Sequence, residues 1–267
     1  MSLFHYTDAN ALLSIINNQQ LWLTDVRFLN DSEEALDGAK HIVSAIHKLE
    51  DNNDAAHVKA KRKLEDFSPS NVLSDFDDMQ MFVTSFSRAC DNLSQWRSYG
   101  LYAIEFDESY FEESVNFHNC VYDKDNKCRL ADELVEMALY NLMGLYSSGE
   151  ESCAVDEQRV IWELGDSVCL FKHESFQEEC EARLVTQSTL DNQAVYFRAK
   201  GDLIIPYQKY SFPVESVKAI HVGPMKYQDL AVSSLKSLLD KTSVAVPNNR
   251  PFQNVDIIPS EIPCRML

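Results

Sequence analysis

The chain has 267 residues, 45% of them hydrophobic, and a formal net charge of −18. That is enough apolar material for one large core or two small ones, and the charge disfavours broad electrostatic binding to nucleic acid or to an anionic membrane. The seven cysteines, at 90, 120, 128, 153, 169, 180 and 264, form no Cys-x-x-Cys pair, which argues against a disulfide framework and against a zinc site.

No apolar run approaches the roughly 18 residues of a membrane span. The N-terminal stretch MSLFHYTD lacks the basic and apolar regions of a signal peptide. The sequence therefore reads as a cytoplasmic protein with no membrane partner.

In chain order, His5-Tyr6-Thr7 stands directly before a helical pattern. Asp8 is placed to cap it, and apolar Ala11, Leu12, Leu13, Ile15 and Ile16 behind it give an amphipathic helix over residues 8–19. Leu21 to Thr24 reads as a short extended segment, and Ser32-Glu33-Glu34 starts a long polar helix. Residues 35–66 form a charged helical stretch whose basic run, His57 to Lys63, reads as a solvated face.

A loop with Ser68-Pro69-Ser70 is followed by strands at 81–87 and 101–106, joined by a polar and aromatic connection from Asn92 to Tyr99. A strand at 120–122 precedes helical spacing over 130–146 and 160–170. Strands at 182–186, 195–197, 203–206 and 217–222, then a helix at 228–239, complete the pattern. There is no internal repeat, and one mixed α+β domain over 1–267 is the simplest fit.

Three clusters carry candidate chemistry. If 179–185 is a strand, its period of two puts Glu179, Glu181 and Arg183 on one face; a solvent-facing Glu-Arg edge explains the same pattern. Ser85 and Ser87, with Gln95, Trp96 and Tyr99 beyond them, suit a ligand that has hydroxyls and a flat ring, or equally a packed core. His5 and Tyr6 read either as ligand contacts or as a satisfied histidine beside a packed aromatic.

No Walker, Gly-x-Gly-x-x-Gly, His-Glu-x-x-His or Gly-x-Ser-x-Gly motif is present, and seven glycines are few for a backbone phosphate cradle. The spacing of His118, Cys120 and Cys128 fits neither a metal site nor a cysteine nucleophile.

Taken together, His5-Tyr6-Thr7, Phe28-Leu29-Asn30-Asp31-x-x-Glu34, Ser85-Phe86-Ser87, Trp96-x-x-Tyr99, Glu179-x-Glu181-x-Arg183, Val222-Gly223-Pro224 and Ile262-Pro263-Cys264-Arg265 resemble the bacterial domain-of-unknown-function family 2971. That family is similar to the ADP-ribosyltransferase superfamily, whose members carry a His-Tyr-Glu or Arg-Ser-Glu triad. The resemblance implies a split, mixed β-sheet core flanked by helices, with Leu3 to Tyr6 as a central strand.

It further implies NAD as substrate, no metal, and transfer of ADP-ribose to a protein or nucleic-acid acceptor. Such an enzyme would be a bacterial toxin or anti-phage effector, with an antitoxin or inhibitory protein as partner. Under that resemblance Glu181, Glu179 and His5 are the catalytic candidates. His5, Tyr6, Thr7, Arg27, Ser85, Ser87, Trp96, Tyr99 and Arg183 are the candidates for holding NAD, with Arg183 and Arg27 suited to its pyrophosphate or to pairing with the glutamates. The competing readings are a non-catalytic nucleotide- or partner-binding module on the same fold and an NAD glycohydrolase.

Overall fold

The computed structural model describes residues 1–29, 32–68, 79–112, 117–148, 154–189, 195–244, 252 and 255–263. The Asn30-Asp31 and Cys264-Arg265 parts of the resemblance lie outside them. The chain forms one mixed sheet with helices packed around it, an α+β architecture. Among the described residues no helix is long and apolar enough to cross a membrane.

The strands are β1 (Ser2–Thr7), β2 (Gln20–Asp25), β3 (Met79–Ser87), β4 (Tyr102–Asp107), β5 (Phe117–Asn119), β6 (Glu181–Thr189), β7 (Tyr196–Lys200), β8 (Leu203–Ser211), β9 (Val217–Val222) and β10 (Asp256–Pro259). Their order is β10-β9-β4-β1-β3-β2-β8-β7, with β6 on the free edge of β3 and β5 beyond it. β10 and β9 are parallel and the other named pairs antiparallel. The helices are α1 (Ala9–Asn18), α2 (Ser32–Lys48), α3 (Ala55–Glu65), α4 (Leu93–Tyr99), α5 (Ser109–Glu112), α6 (Lys124–Ser147), α7 (Ala154–Asp166) and α8 (Gln228–Val244).

β3 is the hub. Along one edge it pairs with β6 from Met79↔Thr189 to Ser87↔Glu181. Along the other it meets β1 at Phe4↔Ser87 and β2 at Thr24↔Val83 and Asp25↔Phe82. Two strands thus share one edge, and Thr84 to Phe86 face the gap between them. The pleat sends Met81 and Val83 into a core with α2, α3, α6 and α7, and Phe82 and Phe86 into a second core with α1 and α8.

Most expected elements are present, and the differences have local causes. The connection at Asn92–Tyr99 is the helix α4, begun by the Asn92 side chain, which accepts from the Ser94 and Gln95 amides. The stretch 35–66 is two helices, interrupted at Asp51-Asn52-Asn53-Asp54, and Asp54 caps α3 by accepting from the His57 amide. The strand expected at 120–122 lies earlier, at β5, leaving only an isolated bridge between Val121 and Phe171. β10 has no counterpart in the sequence reading.

Glu179 also departs from expectation. It ends a 3-10 turn, Glu174–Glu179, and Cys180 follows in a left-handed conformation at φ 44°, so the strand starts only at Glu181.

Gly100 terminates α4 at φ +129°, where a Cβ would lie 2.4 Å from the Thr7 carbonyl oxygen at the end of β1. Only glycine combines that dihedral with that approach. Gly100→Ala is expected to destabilise the fold by more than about 1 kcal/mol, because the native φ is unavailable to alanine without strain. A denaturant midpoint unchanged from wild type would contradict this close packing of α4 on β1.

Candidate functional site

The gap along β3 opens into a cleft of about 210 Å³. β1 contributes His5, Tyr6 and Thr7; α1 contributes Ala11 and Ser14; β2 contributes Trp22 and Thr24; and α4 contributes Gln95 and Tyr99. Ser85 and Ser87 come from β3, Glu179 and Glu181 from the turn and strand beyond it, and Arg198 from β7.

His5 Nδ1 lies 3.0 Å from the Ser85 carbonyl oxygen. A carbonyl only accepts, so Nδ1 carries the proton and, in the neutral ring, Nε2 is the acceptor. Burial lowers the His5 pKa, against the opposing pull of the Ser85 bond, which favours this neutral form. Tyr99, by contrast, is pushed up to about 12 by burial and then by the charge of Glu179, so its phenol is a donor at neutral pH. The cleft therefore offers a histidine acceptor and a phenol donor to a hydroxylated ligand.

The two glutamates meet on a lysine that the sequence reading did not single out. Lys172 Nζ donates to Glu179 Oε2 at 2.6 Å and also to Glu181 Oε2. Arg183 Nε donates to Glu181 Oε1 at 2.7 Å and its Nη1 to the Cys169 carbonyl at 2.7 Å. The Glu181 amide donates to the Tyr122 hydroxyl oxygen at 2.7 Å. Burial pushes the Glu181 carboxyl up, but Arg183 and Lys172 outweigh it and hold the pKa at about 2. Two anions and two cations balance here, so Glu181 remains ionised although it is 5% exposed.

Three of the residues expected to hold NAD do not line the cleft. Trp96 is buried behind the wall of the cleft: its ring packs edge-on against Tyr6 with centroids 4.6 Å apart, and its Nε1 donates to Asp91 Oδ1 at 2.8 Å. Arg183 is buried against Glu181 and does not line the cleft. Arg27 also lies outside the lining and is held by Asp25, with Nη2 donating to Oδ2 at 2.7 Å. Arg183 thus pairs with a glutamate, one of the two roles left open for it, whereas Arg27 pairs with an aspartate, Asp25, and with neither glutamate of the site.

Tyr6 and Ser87 reach the lining but spend their hydroxyls on the frame. Tyr6 donates to the Ala89 carbonyl at 2.7 Å, and Ser87 donates to the Glu179 carbonyl at 2.5 Å. Lys172, Trp22, Thr24 and Arg198 were not anticipated, and none lies in a recognisable motif.

Comparisons with protein-family models, with curated proteins and with solved structures gave no match. Among the described residues no group of three or more His, Cys, Asp or Glu side chains is arranged to hold a metal ion.

Lys172→Met removes the ammonium shared by two carboxylates and is expected to cost about 3–5 kcal/mol, the range for breaking a buried ion pair from one side. Chemical denaturation at pH 7 measures it, and a loss under about 1 kcal/mol contradicts the bridging role. The wild type should also be acid-sensitive. The Glu181 carboxyl is depressed from 4.5 to about 2, so its stabilisation is complete above pH 4.5 and is lost as pH falls towards 2. Unfolding free energies that stay flat across that window contradict an ionised Glu181.

Proposed function

We propose that the protein is an NAD-dependent ADP-ribosyltransferase acting inside the cell. The observation that carries this reading is the split along β3, which brings His5 from the first strand and Glu181 from the sixth to the same cleft. This supports the superfamily-type arrangement implied by the sequence motifs. The cleft volume of about 210 Å³ is below the roughly 300–1,000 Å³ of pockets that enclose a whole small ligand. A dinucleotide would therefore be only partly enclosed.

In this reading His5 Nε2 accepts from a ribose hydroxyl, Ser85 and Tyr99 contact the nicotinamide ribose and ring, and Glu181 faces the sugar. The bond between ribose C1′ and the nicotinamide nitrogen breaks, its electron pair leaves with nicotinamide, and positive charge builds on the ribose. A fixed carboxylate stabilises that charge. Glu179 orients the acceptor nucleophile and takes its proton as the new bond to C1′ forms. The acceptor is a protein or a nucleic acid. An unregulated transferase would harm its own cell, which favours a toxin or anti-phage role with an inhibitory protein partner.

One observation favours a second reading, a non-catalytic binding module. Both oxygens of Glu181 are already engaged by Arg183 and Lys172, which offsets the field a bare carboxylate would exert. NAD labelled in its ADP-ribose half separates the possibilities. Label on a macromolecule supports transfer, free ADP-ribose without a labelled acceptor supports hydrolysis, and intact NAD supports binding alone.

Glu181→Gln is expected to lower NAD turnover, by either route, about 100-fold or more. Glu179→Gln should impair transfer more than hydrolysis, because water still reaches a cation stabilised by Glu181. The Glu181→Gln substitution leaves two buried cations short of one partner, so circular dichroism must first show that variant folded at the assay temperature. Turnover undiminished in both folded variants would remove the glutamates from the mechanism.

A further inference from the structure

Arg198 sits on the edge strand β7, and its side chain reaches across β8 to β2. Its Nη2 donates to Thr24 Oγ1 at 2.8 Å, and its guanidinium carbon lies 5.2 Å from the centre of the Trp22 ring and 5.8 Å from that of Tyr207. With strands about 4.8 Å apart, spanning two of them lays the whole side chain flat along the sheet. Trp22, Thr24 and Arg198 all belong to the cleft lining.

Two features set this arginine apart. The chain carries 42 acidic residues against 24 Lys and Arg, yet among the described residues no carboxylate forms an ion pair with Arg198, whereas Arg27 and Arg183 are each held by one. Its Nε is buried with no hydrogen-bond acceptor. Packing over the two rings accounts for the stem and for the bond to Thr24. Nη1 also has no acceptor among the described residues and, unlike the buried Nε, keeps accessible surface, so it is the donor that a ligand in the cleft can meet.

We propose that Arg198 is the anion anchor of the cleft and that its guanidinium holds the phosphate oxygens of a nucleoside diphosphate unit. The guanidinium fork matches phosphate oxygens pairwise, and Trp22 and Thr24 fix its plane. The choice of a diphosphate rests on the NAD reading, whereas the anion site does not. It also supplies the phosphate contact for which Arg27 and Arg183 are unavailable.

The test is direct binding of ADP-ribose and of inorganic pyrophosphate to the full chain, by calorimetry at fixed ionic strength. Arg198→Gln should weaken both by about 10- to 100-fold, the loss of one or two charge-assisted hydrogen bonds. Arg198→Lys keeps the charge but loses the fork, and should fall between the two. Lys209→Gln, a cation on the same hairpin outside the cleft lining, should bind as wild type does.

ADP-ribose binding within two-fold of wild type in a folded Arg198→Gln protein overturns the anchor and leaves the NAD reading intact. Pyrophosphate binding lost in Arg198→Gln, from a wild type that binds neither NAD nor ADP-ribose, supports the anchor and overturns the NAD reading. A wild type that binds none of these ligands overturns the anchor. Should Arg198→Gln fail to fold, Arg198→Lys decides, and an affinity equal to wild type overturns the anchor.

Discussion

Between Thr84 and Phe86 the backbone of β3 is bounded on one side by β6 and on the other by neither β1 nor β2. A strand edge with unpaired polar groups inside a protein must find partners elsewhere. Here the Ser85 carbonyl takes its hydrogen bond from the His5 ring. That single substitution of a side chain for a neighbouring strand sets the histidine tautomer and links β1 to β3 across the gap. Two apolar cores pack the faces of β3, with Phe82 and Phe86 buried on one side and Met81 and Val83 on the other.

The second constraint is electrostatic. A buried carboxylate survives only with compensation, and Glu181 has it from Arg183 on its own strand and from Lys172 in the segment before the 3-10 turn. Lys172 thereby ties the turn to the sheet, and the Ser87 hydroxyl makes the same link through the Glu179 backbone. The site is built so that its charges order one another, at the expense of a weaker field towards the cleft.

Much of the scaffold was legible because its signals are local. The short apolar run that opens 81–87 marks a buried strand and is found as β3, and Asp8 with the apolar spacing behind it gives α1. The helix α4 was missed, because its polar composition read as a connection although Asn92, which caps it, is a favoured residue at a helix start. The glutamate pair came from a period-two argument that fails at Cys180, yet the two carboxylates still meet, because Lys172 gathers them. Lys172 and Arg198 could not be found this way. Each acquires its meaning from residues brought near only by folding: the glutamates for one, and Trp22 and Thr24, more than 170 positions away, for the other.

The left-handed residue at Cys180 has a consequence for how such a site can diverge. In an uninterrupted strand, two carboxylates at alternate positions are locked to one pleat and shift together whenever the register changes. Here a backbone reversal separates them, so an insertion or deletion in the 3-10 turn would reposition Glu179 while Glu181 kept its place opposite Ser87. The turn and the strand are thus separate in backbone register but joined by the Lys172 ammonium and the Ser87 hydroxyl. A change in what the first glutamate meets is therefore passed to the second through the ammonium they share, and not through the backbone.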